Sequence, residues 1–103
     1  MNIKIKATKI ELTEDLKDYI EKKFGAMEKY LGSFKATNAD VEIEKTTNHH
    51  QKGDIYRAEL NLAVPGELLR VEKTEAEIKK AIDKVKEHME IVIKKYKEKK
   101  KGK

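Results

Sequence analysis

The chain has 103 residues, 42% of them charged and 38% apolar, which suits one domain with a modest two-layer core and leaves no room for two. It has no cysteine, which excludes a disulfide framework and thiolate metal sites, and its longest apolar run, Ile91-Val92-Ile93, is far too short to span a bilayer. The net charge of +5 is unevenly placed: residues 1–74 hold 13 basic and 13 acidic side chains, and residues 75–103 hold 11 and 6. Such a basic segment on a neutral body suits either a polyanionic partner or a solubilising tail.

Ile3, Ile5 and Ala7 alternate with Asn2, Lys4 and Lys6, the period of a strand with one buried face and not that of a signal or transit peptide. Thr13 is placed to cap a helix, with Glu14 and Asp15 in its first turn, where the helix dipole favours them. Leu16, Ile20, Phe24, Met27 and Leu31 recur at helical spacing, which predicts an amphipathic helix from Glu14 to about Leu31, ended by Gly32. Val41 and Ile43 alternate with glutamates in a second strand running to Thr47, and the polar stretch Asn48 to Asp54 reads as a loop. Tyr56, Ala58, Leu60, Leu62 and Val64 form the clearest strand. Pro65-Gly66 is a turn, and Leu69 and Val71 belong to a fourth strand hairpinned to the third. Thr74-Glu75-Ala76-Glu77 matches a capping box before a second helix, about 24 residues long, with Ile78, Ala81, Ile82, Val85, Met89, Val92 and Tyr96 on one face.

The order is β-α-β-β-β-α, an α+β fold. Its strand-helix-strand start implies a right-handed crossover and a parallel first pair, followed by antiparallel strands. Two amphipathic helices bury themselves best together on one face of a four-stranded mixed sheet. The expected core contains Ile3, Ile5, Ile20, Phe24, Val41, Ile43, Leu60, Leu62, Ile82, Val85 and Met89.

Chemistry-bearing motifs are scarce. His49 and His50 are adjacent in the polar loop with no third ligand at metal spacing, and His88 lies in the second helix. The five glycines form no phosphate loop, nucleophile elbow or dinucleotide fingerprint. Acidic residues such as Glu14, Asp18 and Glu90 stand three or four residues before Lys17, Lys22 and Lys94, a pattern of helix-surface pairs rather than acid–base machinery. No enzymatic activity, cofactor or metal is expected.

Several segments together resemble the ribosome hibernation-promoting factor family, also called ribosome-associated inhibitor A and formerly sigma-54 modulation protein. They are Met1 to Ile5, Ile10 to Thr13, Lys22-Lys23-Phe24, Met27 to Leu31, Ile55 to Glu59, Val64-Pro65-Gly66 with Leu69-Arg70, Ala81-Ile82-Asp83 and Lys95-Tyr96-Lys97. The resemblance implies a fold similar to a double-stranded RNA-binding domain. It also implies a cytoplasmic protein that binds the small ribosomal subunit near the decoding centre and blocks transfer RNA and messenger RNA. Contacts to ribosomal RNA would come from basic helix faces: Lys22, Lys23, Lys29, His88 and Lys95 stand at the family's positions, and Lys79, Lys80, Lys84 and Lys94 are extra lysines of this chain that would extend the patch.

The chain departs from the family pattern at several points. Ala26 stands where a lysine is usual. His88, Ile91 and Lys95 occupy a stripe that is usually basic, and Glu77-Ile78-Lys79 replaces an Asp-Met-Tyr entry to the helix. Residues 1–98 read as a single ribosome-binding domain and 99–103 as a basic flexible tail, without the second domain by which longer members pair ribosomes. Two alternatives stay open: a protein-interaction module with weak self-association through Ile91 and Ile93, or a nonspecific nucleic-acid-binding domain.

Overall fold

The computed structural model describes residues 1–46 and 55–101. The elements are β1 (Asn2–Thr8), α1 (Glu14–Gly25), α2 (Glu28–Leu31), β2 (Asn38–Lys45), β3 (Tyr56–Val64), β4 (Glu67–Glu75) and α3 (Ile78–Lys101). The sheet order is β1-β2-β3-β4, with β1 parallel to β2 and the other two pairs antiparallel. The expected loop with His49 and His50, and the end of the second strand at Thr47, lie outside the described residues.

Register explains why one face of the sheet is buried. Ile5, Val41, Leu60 and Val71 are successive partners across the four strands, so one row of apolar side chains spans the sheet. Ala39, Leu62 and Leu69 form the next row toward the same face. α3 lies over β3 and β4, α1 approaches β1, and α1 and α2 both pack against α3, so all the helices cover that one face. Phe24, Ile20, Met27, Leu31, Ile82, Val85, Met89 and Ile93 close the core from above. Ile3 and Ile5, expected in the core, are half-buried against its rim, because β1 is an outer strand with a single neighbour.

Four details differ from the sequence expectation. The first helix breaks after Gly25. Met27 N–H bonds to the Phe24 carbonyl and Tyr30 N–H to the Met27 carbonyl, which makes a tight turn before the four-residue α2. Glycine is a weak helix former, and here the break still leaves Met27 and Leu31 buried. Thr74 does not cap α3. It pairs with Arg57 inside β4, where the sheet ladder outcompetes the capping geometry, and α3 starts at Ile78. Ile93 rather than Val92 completes the fully buried stripe of α3. Finally, helical backbone continues through 99–101, the first residues assigned to the tail. The helical repeat brings these lysines back over the β3–β4 turn: Lys99 pairs with Glu67 at 2.9 Å, and Lys100 Nζ lies 5.7 Å from the Tyr96 ring centroid.

The capping and turn chemistry that the sequence announced is in place elsewhere. The Thr13 hydroxyl accepts from Leu16 N–H at 3.1 Å. Gly66 sits at φ +82° in the Pro65-Gly66 turn and Gly32 at φ +60° after α2, positions that a side chain would strain. The Tyr96 hydroxyl donates to the Pro65 carbonyl at 2.7 Å and ties α3 to that turn.

Candidate nucleic-acid interface

Helix α3 carries ten lysines and four acidic residues over 24 positions. Its buried stripe (Ala81, Ile82, Val85, Met89, Ile93, Tyr96) turns the remaining azimuths to solvent. Lys84, His88, Ile91 and Lys95 fall within about 60° around the axis at 3.6 residues per turn, and all four are exposed. Lys84, His88 and Ile91 share a shallow recess with Lys73 and Glu75 of β4, so the stripe overlooks the β4 edge. Lys80, also exposed, lies 3.9 Å from Glu75.

The seam between α1 and α3 gathers a second group. The Tyr19 hydroxyl donates to Asp83 Oδ1 at 2.6 Å, and Lys23 Nζ stands 3.3 Å from the same oxygen. Lys79 reaches from α3 to Asp15 Oδ2 at 2.9 Å, while its ammonium lies 5.0 Å from the Tyr19 ring centroid and that of Lys23 lies 5.3 Å from it. Lys23 and Lys79 therefore meet around one aromatic ring. Exposed pairs of this kind are worth about 0–1 kcal/mol, so a phosphate competes easily for either ammonium. Lys22 and Lys29 are exposed on α1 and α2, with Lys29 Nζ 6.0 Å from the Tyr30 ring centroid. Lys94 lies on a different azimuth and lines a groove with Tyr30 and Lys97.

Partial burial and the bond to Asp83 push the Tyr19 hydroxyl up from 10.0 to about 12. Its protonated form holds the seam, so that contribution to stability is complete below pH 10 and is lost as pH rises toward 12. One of the four tyrosines should thus titrate late by tyrosinate absorbance, and Tyr19→Phe should remove that step. A late step that survives the substitution would show that the Tyr19 hydroxyl is not the bridge. Sequence reading missed Tyr19 and Asp83 as partners. The Tyr19–Lys23 and Lys79–Asp83 spacings were visible as helical neighbours, but their meeting across two helices was not.

The opposite face of the sheet has a different character. Arg57 Nη2 bonds Glu42 at 2.7 Å, its Nε bonds Glu44 at 3.0 Å, and its Nη1 reaches Glu59 at 3.1 Å and Glu72 at 3.2 Å. Arg70 bonds Glu59 from the other side. Burial pushes the Glu59 carboxyl up, but hydrogen bonds from Arg70, Arg57 and Asn61 outweigh this and hold it below its ordinary 4.5. On the same face Lys4 and Lys6 stand opposite Asp40 and Glu42. Among the described residues this face has no excess of cations, so their basic character is concentrated on the helix layer.

The model of the family described as Sigma 54 modulation protein / S30EA ribosomal protein matches residues 3–101. The chain belongs to this family. Among curated members, a ribosome hibernation promotion factor from Picosynechococcus is 30% identical over 103 residues, all of this chain and 52% of that protein. One from Lactococcus lactis is 30% identical across 90% of this chain and 48% of its own length. One from Deinococcus radiodurans is 27% identical across 85% of this chain and 44% of its own length. The chain thus spans about half the length of the curated family members it matches. Among solved structures, the N-terminal domain of Thermus thermophilus Protein Y superposes with a TM-score of 0.75 at 28% identity, covering 93% of this chain and 99% of that one. A ribosomal subunit interface protein from Coxiella burnetii has the same fold, with a TM-score of 0.71 at 17% identity over 94% of this chain and 98% of that one. The β-α-β-β-β-α order read from periodicity is thus the order of the S30EA family domain.

Among the described residues, one sequence expectation about surfaces needs correction. Ile91 is 54% exposed, but Ile93 is 1% exposed and belongs to the core. Two residues apart on a helix are about 200° apart, so Ile93 turns into the core and shows only an edge in the groove beside Ile91. Apolar contact through this part of α3 falls mainly to Ile91.

Proposed function

We propose that the chain is a cytoplasmic translation silencer that binds the small ribosomal subunit near the decoding centre and occupies space needed by transfer RNA and messenger RNA. The observation that carries this reading is the segregation of charge: α3 presents a lysine-rich outer surface, and the far side of the sheet is balanced by glutamates. The names of its relatives point to the same partner. Phosphate contacts would come from Lys22, Lys23, Lys29, Lys79, Lys80, Lys84, His88, Lys94 and Lys95, which lie along α1, α2 and α3. Such contacts position a protein on RNA without reading sequence, and A-form RNA favours recognition by shape and backbone. Inhibition is then steric and needs neither catalysis nor a cofactor.

Co-sedimentation with purified small subunits at rising salt tests this. Binding should fall steeply with salt, because each neutralised phosphate releases counterions. A chain that stays in the supernatant at low salt, or pellets equally at every salt concentration, would refute it.

Ile91 favours a second reading, a protein contact, because it is a large exposed apolar side chain among lysines. The two readings predict opposite results for Ile91→Arg. If the stripe faces RNA, the new guanidinium adds a phosphate contact and tightens subunit binding, by about 1.5–3 kcal/mol at most. If Ile91 is a protein contact, subunit binding is unchanged or weaker, and light scattering shows the loss of a dimer.

A further inference from the structure

Tyr30 and Ile91 are two of the three large apolar side chains left exposed among the described residues, at 41% and 54%. They line one groove of roughly 470 Å³ between α2 and α3. Its floor is apolar and includes the edge of Ile93. Lys97 fixes the geometry by donating to the Tyr30 carbonyl at 2.6 Å, which caps α2 and holds Tyr30 against α3. Charge around the groove changes balance along α3. Glu87 and Glu90 come first, and Lys94, Lys97 and Lys101, with Glu98 among them, follow toward the C-terminal end, where the link to Lys97 places Tyr30. Glu90 is occupied by Lys86 at 2.6 Å.

We propose that this groove takes one unstacked nucleobase of ribosomal RNA, stacked on Tyr30, with its flanking phosphates on Lys94 and Lys101. The inference rests on the ribosome-binding reading and adds a stacking subsite to it. An exposed aromatic ring beside an apolar floor suits the face of a base, which is recognised by stacking when RNA is single-stranded or splayed out. Phosphates are repelled at the Glu87 end and attracted to the other, where three lysines outnumber Glu98, so charge favours one direction for the backbone. Lys29, with its Nζ 6.0 Å from the Tyr30 ring centroid, adds a further cation near the ring. A second copy of this chain is the less suitable occupant, because it would bring the same lysine-rich end against its equal.

The test uses the full chain with two probes, purified small subunits and a single-stranded RNA hexamer carrying a central 2-aminopurine, whose fluorescence is quenched by stacking. Wild type and Tyr30→Phe should quench the probe, and Tyr30→Ala should not. Tyr30→Ala should also weaken subunit binding by ~5- to 100-fold, the range for losing one base–aromatic stack. Because Tyr30 is exposed, the variant should keep its thermal midpoint, which circular dichroism checks. The stacking proposal is overturned if Tyr30→Ala binds subunits as wild type does while charge reversal at Lys84 and Lys95 abolishes binding; the ribosome reading then survives alone. It is also overturned if Tyr30→Ala instead dissolves a dimer seen by light scattering. If wild type binds no subunits under any salt condition, the reading beneath it falls as well.

Discussion

Arg57→Ala is expected to cost about 3 kcal/mol of folding stability, the lower end of the range for removing one partner from a buried ion pair, because 15% of the Arg57 side chain is still exposed. The loss is large because four glutamates converge on this guanidinium, and without it Glu42, Glu44, Glu59 and Glu72 face one another across three strands. Arg57→Lys should recover only part of the loss, since one ammonium cannot reproduce the fork that meets several carboxylates at once. Urea unfolding measures both, and a change below about 1 kcal/mol for Arg57→Ala would place the cluster with ordinary surface pairs. The cluster also predicts an acid limb. Glu59 has its carboxyl pKa held below 4.5 in the fold, so its contribution is present above that value and is lost as pH falls through the depressed one. Stability should therefore decline below about pH 4.5, and Glu59→Gln should flatten the decline.

The double replacement Lys84→Glu with Lys95→Glu should weaken small-subunit binding by at least ~100-fold, the loss expected from two charge-assisted contacts at about 1.5–3 kcal/mol each. Both side chains are exposed on the outer azimuths of α3, so the fold should be unchanged by circular dichroism. The slope of affinity against salt should become shallower as well, since fewer counterions are released. Lys4→Glu with Lys6→Glu is the control, with the same change in net charge placed on the sheet face. Equal losses from the two pairs would mean that net charge alone drives binding and that no particular face is used. Loss from the α3 pair alone would locate the interface on the helix layer.

The sequence by itself determined the element order, the parallel first pair, the Thr13 cap and the Pro65-Gly66 turn. Each rests on interactions between near neighbours in the chain, and a period of two or of 3.6 residues reports directly which side chains share a face. It also located the excess of lysine in the last helix, because charge is a property of composition. Where the sequence reading failed, a longer-range competition had decided. Thr74 had the right neighbours for a capping box, but β3 offered its backbone a ladder partner at Arg57. Gly25 divided a helix whose apolar repeat looked continuous, because the last turn could bury Met27 and Leu31 from a new direction. Ile91 and Ile93 looked alike until packing of α2 against α3 buried one and left the other at the mouth of a groove. Only the tertiary structure could bring Tyr19 to Asp83, gather four glutamates on Arg57, or set Tyr30 beside Lys94 and Lys97. These meetings depend on strand register and helix docking, which are fixed by the burial of the whole core and have no period along the chain from which to be read.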